Sequence, residues 1–216
     1  MKKAISIVFT LSLLLCCKKD KTVTMVISGT ISDGINGGGV ANTSVVLSYQ
    51  KYENGIASTA FSTIGSYTTS SDGRYSFSFE KPPSIMYRLQ INRTDYFGIS
   101  EDINPDNLSA QNENIRNYTL YPSATFTISL KNLNPVNAQD QVLYQNLSEN
   151  NSCPSCCNNS LKVLTGTTVD TSFTCPKYGN TYVKFQWIVT KNSIINTFVD
   201  SIFCPTGQLT TYQVNY

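Results

Sequence analysis

Polar and apolar residues alternate one by one through much of this chain of 216 residues, and that period of two restricts its fold more than any other feature. An amphipathic helix needs apolar residues three and four apart, whereas strict alternation puts them all on one side of an extended strand. In "RYSFSF" the residues Tyr75, Phe77 and Phe79 fall on one face and Arg74, Ser76 and Ser78 on the other. "YVKFQWIV" repeats the device, with Val183, Phe185, Trp187 and Val189 opposite Tyr182, Lys184, Gln186 and Ile188, which predicts Trp187 as a core residue. Similar short segments, among them "TMVISGTIS", "SVVLSYQKY", "IMYRLQINR", "NYTLY", "ATFTISL", "NTFVDSIF" and "TTYQVNY", recur between Gly, Asn, Asp and Pro. The expected fold class is all-β, made of small antiparallel sandwiches.

About ten such strands are more than one small sandwich needs, and Tyr121-Pro122 is the best place for a join. "NYTLY" can close one sheet before it, and "SATFTISLKN" opens a new alternating run after it. Two β-sandwich domains are therefore predicted, over residues 23–121 and 122–216.

At the amino end, Lys2 and Lys3 precede an apolar run from Ile5 to Leu15. That run is shorter than the roughly 18 residues a membrane-spanning helix requires, and it has the form of a signal-peptide core. The following Cys16-Cys17-Lys18-Lys19-Asp20 resembles the lipobox of bacterial lipoproteins. The resemblance implies a signal peptide over residues 1–16, lipidation of Cys17, and a tether over residues 17–22. Small residues are favoured before the cut, so Cys17 preceded by Cys16 fits better than the alternative, Cys16 preceded by Leu15. An ordinary secretory signal with incidental cysteines is the other reading. A lipidated chain would sit in the bacterial cell envelope, held to the membrane, with the outer membrane expected and its periplasmic or surface face undecided. Loss of Lys2 and Lys3 would lower the basic count from 16 to 14, against 14 acidic residues. No positive surplus remains for a phosphate backbone, so no nucleic-acid partner is expected.

Two further resemblances concern the folded part. "ISGTISDGINGGGVANTSVVL", "TTSSDGRYSFSF" and "YRLQINRTDYF" together resemble the carboxypeptidase regulatory-like, or transthyretin-like, β-sandwich of secreted Bacteroidetes proteins. That family implies a fold and no activity. It usually carries a proline near Gly39 and a glycine at the place of Asp95, neither of which this chain has. The stretch from Val169 to Tyr216 looks like the C-terminal Ig-like β-domain of small Bacteroidetes lipoproteins of unknown function.

Beyond the lipobox the cysteines are Cys153, Cys156, Cys157, Cys175 and Cys204, and outside the cytoplasm oxidation is expected. Cys175 and Cys204 each end a strand-like segment and are each followed by Pro, which predicts a Cys175–Cys204 disulfide. "NNSCPSCCNNS" reads as a polar loop with one internal disulfide, such as Cys153 with Cys157, and one odd thiol. Its C-x-x-C spacing also admits zinc, but four ligands would have to be found in a chain without histidine. A thioredoxin-type site would want a helix N-terminus that this β context does not supply.

The absence of histidine also removes the Ser-His-Asp and Cys-His forms of catalysis. Glu101, Asp102 and Asp106 share a Pro- and Asn-rich stretch that reads as a solvated loop, with an oxygen-rich calcium site as the alternative. Asp33 and Asp72 read as turn residues, and Asp200-Ser201-Ile202 resembles a Bacteroidetes O-glycosylation signal. No cofactor or metal and no enzymatic activity is expected. The expected function is a binding or structural module that docks a protein partner through loops or an exposed sheet edge. The alternatives are a fimbrial or adhesin subunit, marked by a detachable terminal strand, and a glycan-binding lipoprotein. Exposed aromatics would carry glycan binding, the candidates being Tyr49, Tyr52, Tyr67, Tyr96, Phe97 and Tyr178.

Overall fold

Alternation becomes burial in the first strand. Along β1 (Thr24–Asp33) the side chains of Met25, Ile27 and Ile31 are buried while the residues between them keep some exposure. The computed structural model describes residues 23–53, 55–148 and 153–216, so the expected signal peptide, tether and lipidation site at Cys16 or Cys17 lie outside the described residues.

The protein is all-β. Its N-terminal half continues through β2 (Ser44–Glu53), β3 (Ile56–Thr68), β4 (Arg74–Glu80), β5 (Ser84–Asn92) and β6 (Ile99–Ile103). A 3-10 turn at Pro105–Asn107 then leads to β7 (Asn114–Ile115) and β8 (Tyr118–Leu120). One sheet runs in the order β3-β2-β5-β6, and the other places β1 between β4 and the pair β7 and β8. Val45, Leu47, Tyr87, Leu89 and Ile91 of the first sheet meet Met25, Ile27, Ile31, Tyr75 and Phe77 of the second. Each fully buried large apolar side chain contributes about 1.5–3 kcal/mol relative to exposure. Tyr75, Phe77 and Phe79 share the inward face, as the alternation requires.

The chain passes close to itself at Gly29. A Cβ there would lie 1.7 Å from the carbonyl oxygen of Arg116, the residue that links β7 to β8. The same carbonyl accepts a hydrogen bond from the Tyr75 hydroxyl at 2.7 Å, and the Arg116 N–H donates to Ser28 at 2.7 Å. The Arg116 guanidinium reaches Glu101 at 3.1 Å, and Tyr118 donates its hydroxyl to the same carboxylate. Burial, reinforced by Glu101, raises the Tyr75 pKa, so this hydroxyl remains a donor.

After Tyr121-Pro122 the C-terminal half forms β9 (Ser123–Lys131), β10 (Gln141–Asn146), β11 (Lys162–Thr165) and β12 (Asp170–Tyr178). β13 (Thr181–Lys191), β14 (Ile194–Cys204) and β15 (Leu209–Asn215) complete it. A four-stranded sheet, β11-β10-β13-β14, faces a three-stranded one, β12-β9-β15. Ala124, Phe126, Ile128 and Leu130 alternate inward from β9 onto Val142, Tyr144, Val183, Phe185 and Val189. Among the described residues no strand of one half enters a sheet of the other. The halves meet through the backbone bond from the Ser123 N–H to the Asp95 carbonyl at 2.7 Å, and through stacking of Tyr121 on Tyr178 with ring centroids 4.7 Å apart.

The sheets are antiparallel, as expected, except at one return in each half. β7 and β8 run parallel to β1, and β15 runs parallel to β9. In each half the chain leaves the first strand, crosses to the facing sheet and returns beside the first strand from the same end, a route that short hairpins cannot provide.

Gly29→Ala is expected to lower stability by about 1–3 kcal/mol through overpacking against the Arg116 backbone. Urea unfolding followed by tyrosine fluorescence measures it, and an unchanged midpoint would contradict this contact.

Candidate functional site

The C-terminal half presents its most open surface where its wider sheet overhangs the narrower one. β14 is rich in β-branched and aromatic residues, which favour an extended strand. It is reversed from β13 by the two-residue turn Asn192-Ser193, both at positive φ (49° and 62°), as a hairpin of this length requires. β13 covers one flank of β14 along its full length, and among the described residues the other flank carries no strand. Ile194, Ile195 and Val199 are 63%, 67% and 54% exposed. Edge strands of soluble proteins are usually short, charged or interrupted by proline, and β14 has Asp200 as its only charged residue in 11 positions.

Between β14 and the neighbouring edge strand β15 lies a cleft of about 330 Å3 lined by Trp187, Phe198, Tyr212, Asn196, Gln213 and Asn215, among others. Trp187 and Phe198 are cross-strand partners whose rings stack at 5.2 Å, and Phe198 is partly open to solvent. Trp187 packs against the core, as its alternation predicts, yet it is only partly buried because no strand lies beneath its outer side. The cleft is latched by the Tyr212 hydroxyl, which donates to Asp200 Oδ2 at 2.5 Å. Donation to this carboxylate, with some desolvation, pushes the Tyr212 phenol up to about 12. The same bond, helped by the Ser201 N–H, holds Asp200 below the ordinary carboxylate range.

The expected Cys175–Cys204 disulfide does not form. Cys175 pairs with Cys157, and Cys153 pairs with Cys156 rather than with Cys157. Cys204 is buried and outside any disulfide. The prolines misled the strand assignment, because β12 continues through Pro176 to Tyr178 instead of ending at Cys175. β12 is an edge strand, where a residue without an N–H is tolerated, and Cys157 donates its own N–H to the Pro176 carbonyl at 3.0 Å. That bond lays the cysteine loop along β12 and presents Cys157 to Cys175. Cys204 ends β14 in the facing sheet. Burial pushes its thiol up, against hydrogen bonding from Thr210 and the nearby Lys177 charge.

The other expected residues are dispersed. Tyr96, Phe97 and Tyr178 gather at the junction of the halves, where Phe97 and Tyr178 meet edge to face at 5.7 Å and Tyr96 donates its hydroxyl to Asp33 at 2.8 Å. Tyr52 and Tyr67 are exposed on β2 and β3, and Tyr49 packs on the N-terminal core. Glu101 is committed to Arg116 and Tyr118, and Asp102 forms a two-point pair with Arg88 at 2.5 and 2.8 Å. Asp106 sits in the 3-10 turn, and no group of three or more His, Cys, Asp or Glu side chains able to hold a metal ion occurs among the described residues. Asp33 and Asp72 are turn residues, accepting backbone N–H bonds from Ile35 and Asn36 and from Arg74. Ser201 is exposed on β14. No helix among the described residues is long and apolar enough to cross a membrane.

No family model matches the sequence, and no curated protein matches it. Among solved structures, the chain is similar to the Bacillus anthracis TIE protein at 11% identity and a TM-score of 0.37, over 89% of this chain and 34% of that one. It is similar to a streptococcal ancillary pilin at 11% identity and a TM-score of 0.36, over 90% of this chain and 63% of the pilin. The shaft pilin SpaA of Lactobacillus rhamnosus GG gives 9% identity and a TM-score of 0.34, over 89% and 97%. The chain thus spans about a third of the Bacillus protein and under two thirds of the streptococcal one.

Two outcomes follow from this geometry. Asp200→Asn should bring the Tyr212 phenol down from about 12 towards the ordinary range, read by NMR titration of the labelled ring. The latch then contributes stability that is complete below the unfolded tyrosine pKa and is lost as pH rises through about 12. Replacing both Cys157 and Cys175 by Ala should cost about 3 kcal/mol for a closed loop of this length. In the disulfide-intact protein, Cys204 should take up iodoacetamide only after denaturation, as seen by peptide mapping.

Proposed function

We propose that this protein is a non-catalytic, membrane-anchored binding module of the bacterial cell envelope that docks an extended segment of a partner protein along β14. One observation carries the reading: an exposed, largely apolar edge strand of 11 residues whose second flank is unpaired among the described residues. Such an edge offers a row of backbone donors and acceptors for strand addition, and its alternate side chains offer apolar contacts on both faces. Anchorage rests on the lipobox-like Cys16-Cys17 stretch, through Cys17 or, as the alternative, Cys16. Tyr182 and Phe203, paired across β13 and β14 with ring centroids 5.3 Å apart, would widen the apolar contact on the outer face.

A glycan reading draws on a different observation, the aromatic and amide lining of the cleft between β14 and β15. The open face of Phe198 and the side chains of Asn196, Gln213 and Asn215 combine an apolar platform with both hydrogen-bond donors and acceptors, which suits a sugar ring.

Crosslinked capture of the lipidated protein from detergent-treated membranes tests the proposal. A stoichiometric partner is expected with wild type and should be lost when Ile195 and Val199 are both changed to Lys. Each of these exposed substitutions should alter stability by no more than about 0.5 kcal/mol. A partner retained by the double variant rejects the edge. Glycan-array binding abolished by Phe198→Ala would favour the second reading, and ladders of this chain alone would favour a fimbrial subunit.

A further inference from the structure

At one end of the C-terminal sandwich, three side chains stand in the order amine, carboxamide, acid. Lys191, the last residue of β13, places its Nζ 2.9 Å from Asn132 Oδ1. Asn132 follows β9 in the facing sheet, and its Nδ2 donates to Asp140 Oδ2 at 2.9 Å. Asn132 is 7% exposed and Asp140 is fully buried. Simple charge pairing would set the ammonium directly against the carboxylate, but Lys191 Nζ is 3.9 Å from Asp140 Oδ2 and closer to the amide oxygen. Its position is also set by the Asn134 carbonyl at 2.7 Å and by the Tyr216 ring, whose centroid lies 5.0 Å away. The amide nitrogen points to two acceptors, Asp140 and the Gly166 carbonyl at 3.2 Å.

We infer that Lys191 and Asn132 condense into an intramolecular isopeptide bond, with Asp140 carrying the protons. The Nζ that attacks is held by its hydrogen bond to the oxygen of the same carboxamide, so the amine and its target carbon are positioned together before reaction. Asp140 begins as the carboxylate, held low by hydrogen bonds from the Asn132 amide and from the Val136 and Asn137 N–H groups. It takes one proton from the lysine ammonium. The freed lone pair of Nζ attacks Asn132 Cγ, and a tetrahedral centre forms. Collapse of that centre breaks the Cγ–Nδ2 bond, while a second proton passes from Nζ through Asp140 to the departing nitrogen. Asp140 then gives up the first proton, so that an ammonium and a carboxamide become one secondary amide and one ammonium ion, with no oxidant or other reactant consumed. Burial of Asn132 and Asp140 keeps water from competing for the same carbon. The product joins the end of β13 to the end of β9, and hence one sheet of the sandwich to the other.

Peptide mass mapping of the purified, folded full chain after reduction tests this. The expected result is a branched peptide joining residues 132 and 191, lighter by one ammonia than its two parts, with no protease cleavage after Lys191. Lys191→Arg keeps the positive charge and should abolish the branch, and Asp140→Asn should leave most chains unbranched. Two linear peptides from wild type with strand-rich circular dichroism would overturn the inference, as would an ammonia loss that persists in Lys191→Arg. A branch formed at the wild-type rate in Asp140→Asn would overturn the role given to Asp140.

Discussion

A three-stranded sheet cannot cover a four-stranded one, and the open surface of the C-terminal half follows from that mismatch. β9, flanked by β12 and β15, covers β10 and β13, and β14 is left beyond the end of the narrower layer. The inward face of β14 therefore joins the core only at its C-terminal end, through Ile202 and Cys204. It carries Phe198 and Asn196 over the cleft and Asp200 towards Tyr212, where β9 and β13 carry continuous apolar sets. One hydrogen bond between edge strands replaces the apolar contact that a fourth strand would have supplied. Such a latch costs little to open, because both groups lie near solvent.

Much of the architecture was legible in the alternating pattern, because a half-buried strand has to separate its apolar and polar residues. "RYSFSF" read correctly down to the residues that enter the core, and "ATFTISL" read correctly as a strand. β14 was legible as a strand but not as an edge, since "NTFVDSIF" has the same local pattern as a covered strand and its neighbours lie elsewhere in the chain. The parallel returns of β7, β8 and β15 were hidden for the same reason, pairing being a property of distant segments.

The cysteines show a sharper failure. Reading proline as a strand end is sound for a central strand and fails for an edge strand such as β12, so Cys175 was assigned to the wrong neighbourhood. The close packing of Gly29 against Arg116, and the meeting of Lys191, Asn132 and Asp140, were equally invisible. Each joins residues with no shared local motif, and in each the determining quantity is a distance between segments far apart in the chain. The expected aromatic candidates lie in the N-terminal half and at the junction, whereas the aromatic cleft between β14 and β15 is built mostly from residues within strands that the exposed-aromatic expectation did not include.

The parallel returns also bear on the time course of folding. β1 is bordered on one flank by residues about 90 positions later, and β9 by β15, the final strand of the chain. Loops of that length must close before the central strand of either sheet gains its second neighbour, which is the kind of pairing that slows folding. A chain delivered from its amino end would hold β1 with an unpaired flank until Asn114 emerged, and β9 until Leu209 did. For that interval Phe126, Ile128 and Leu130 would lie beside an open strand edge, so protection of that edge during folding matters more for this protein than its finished surface suggests.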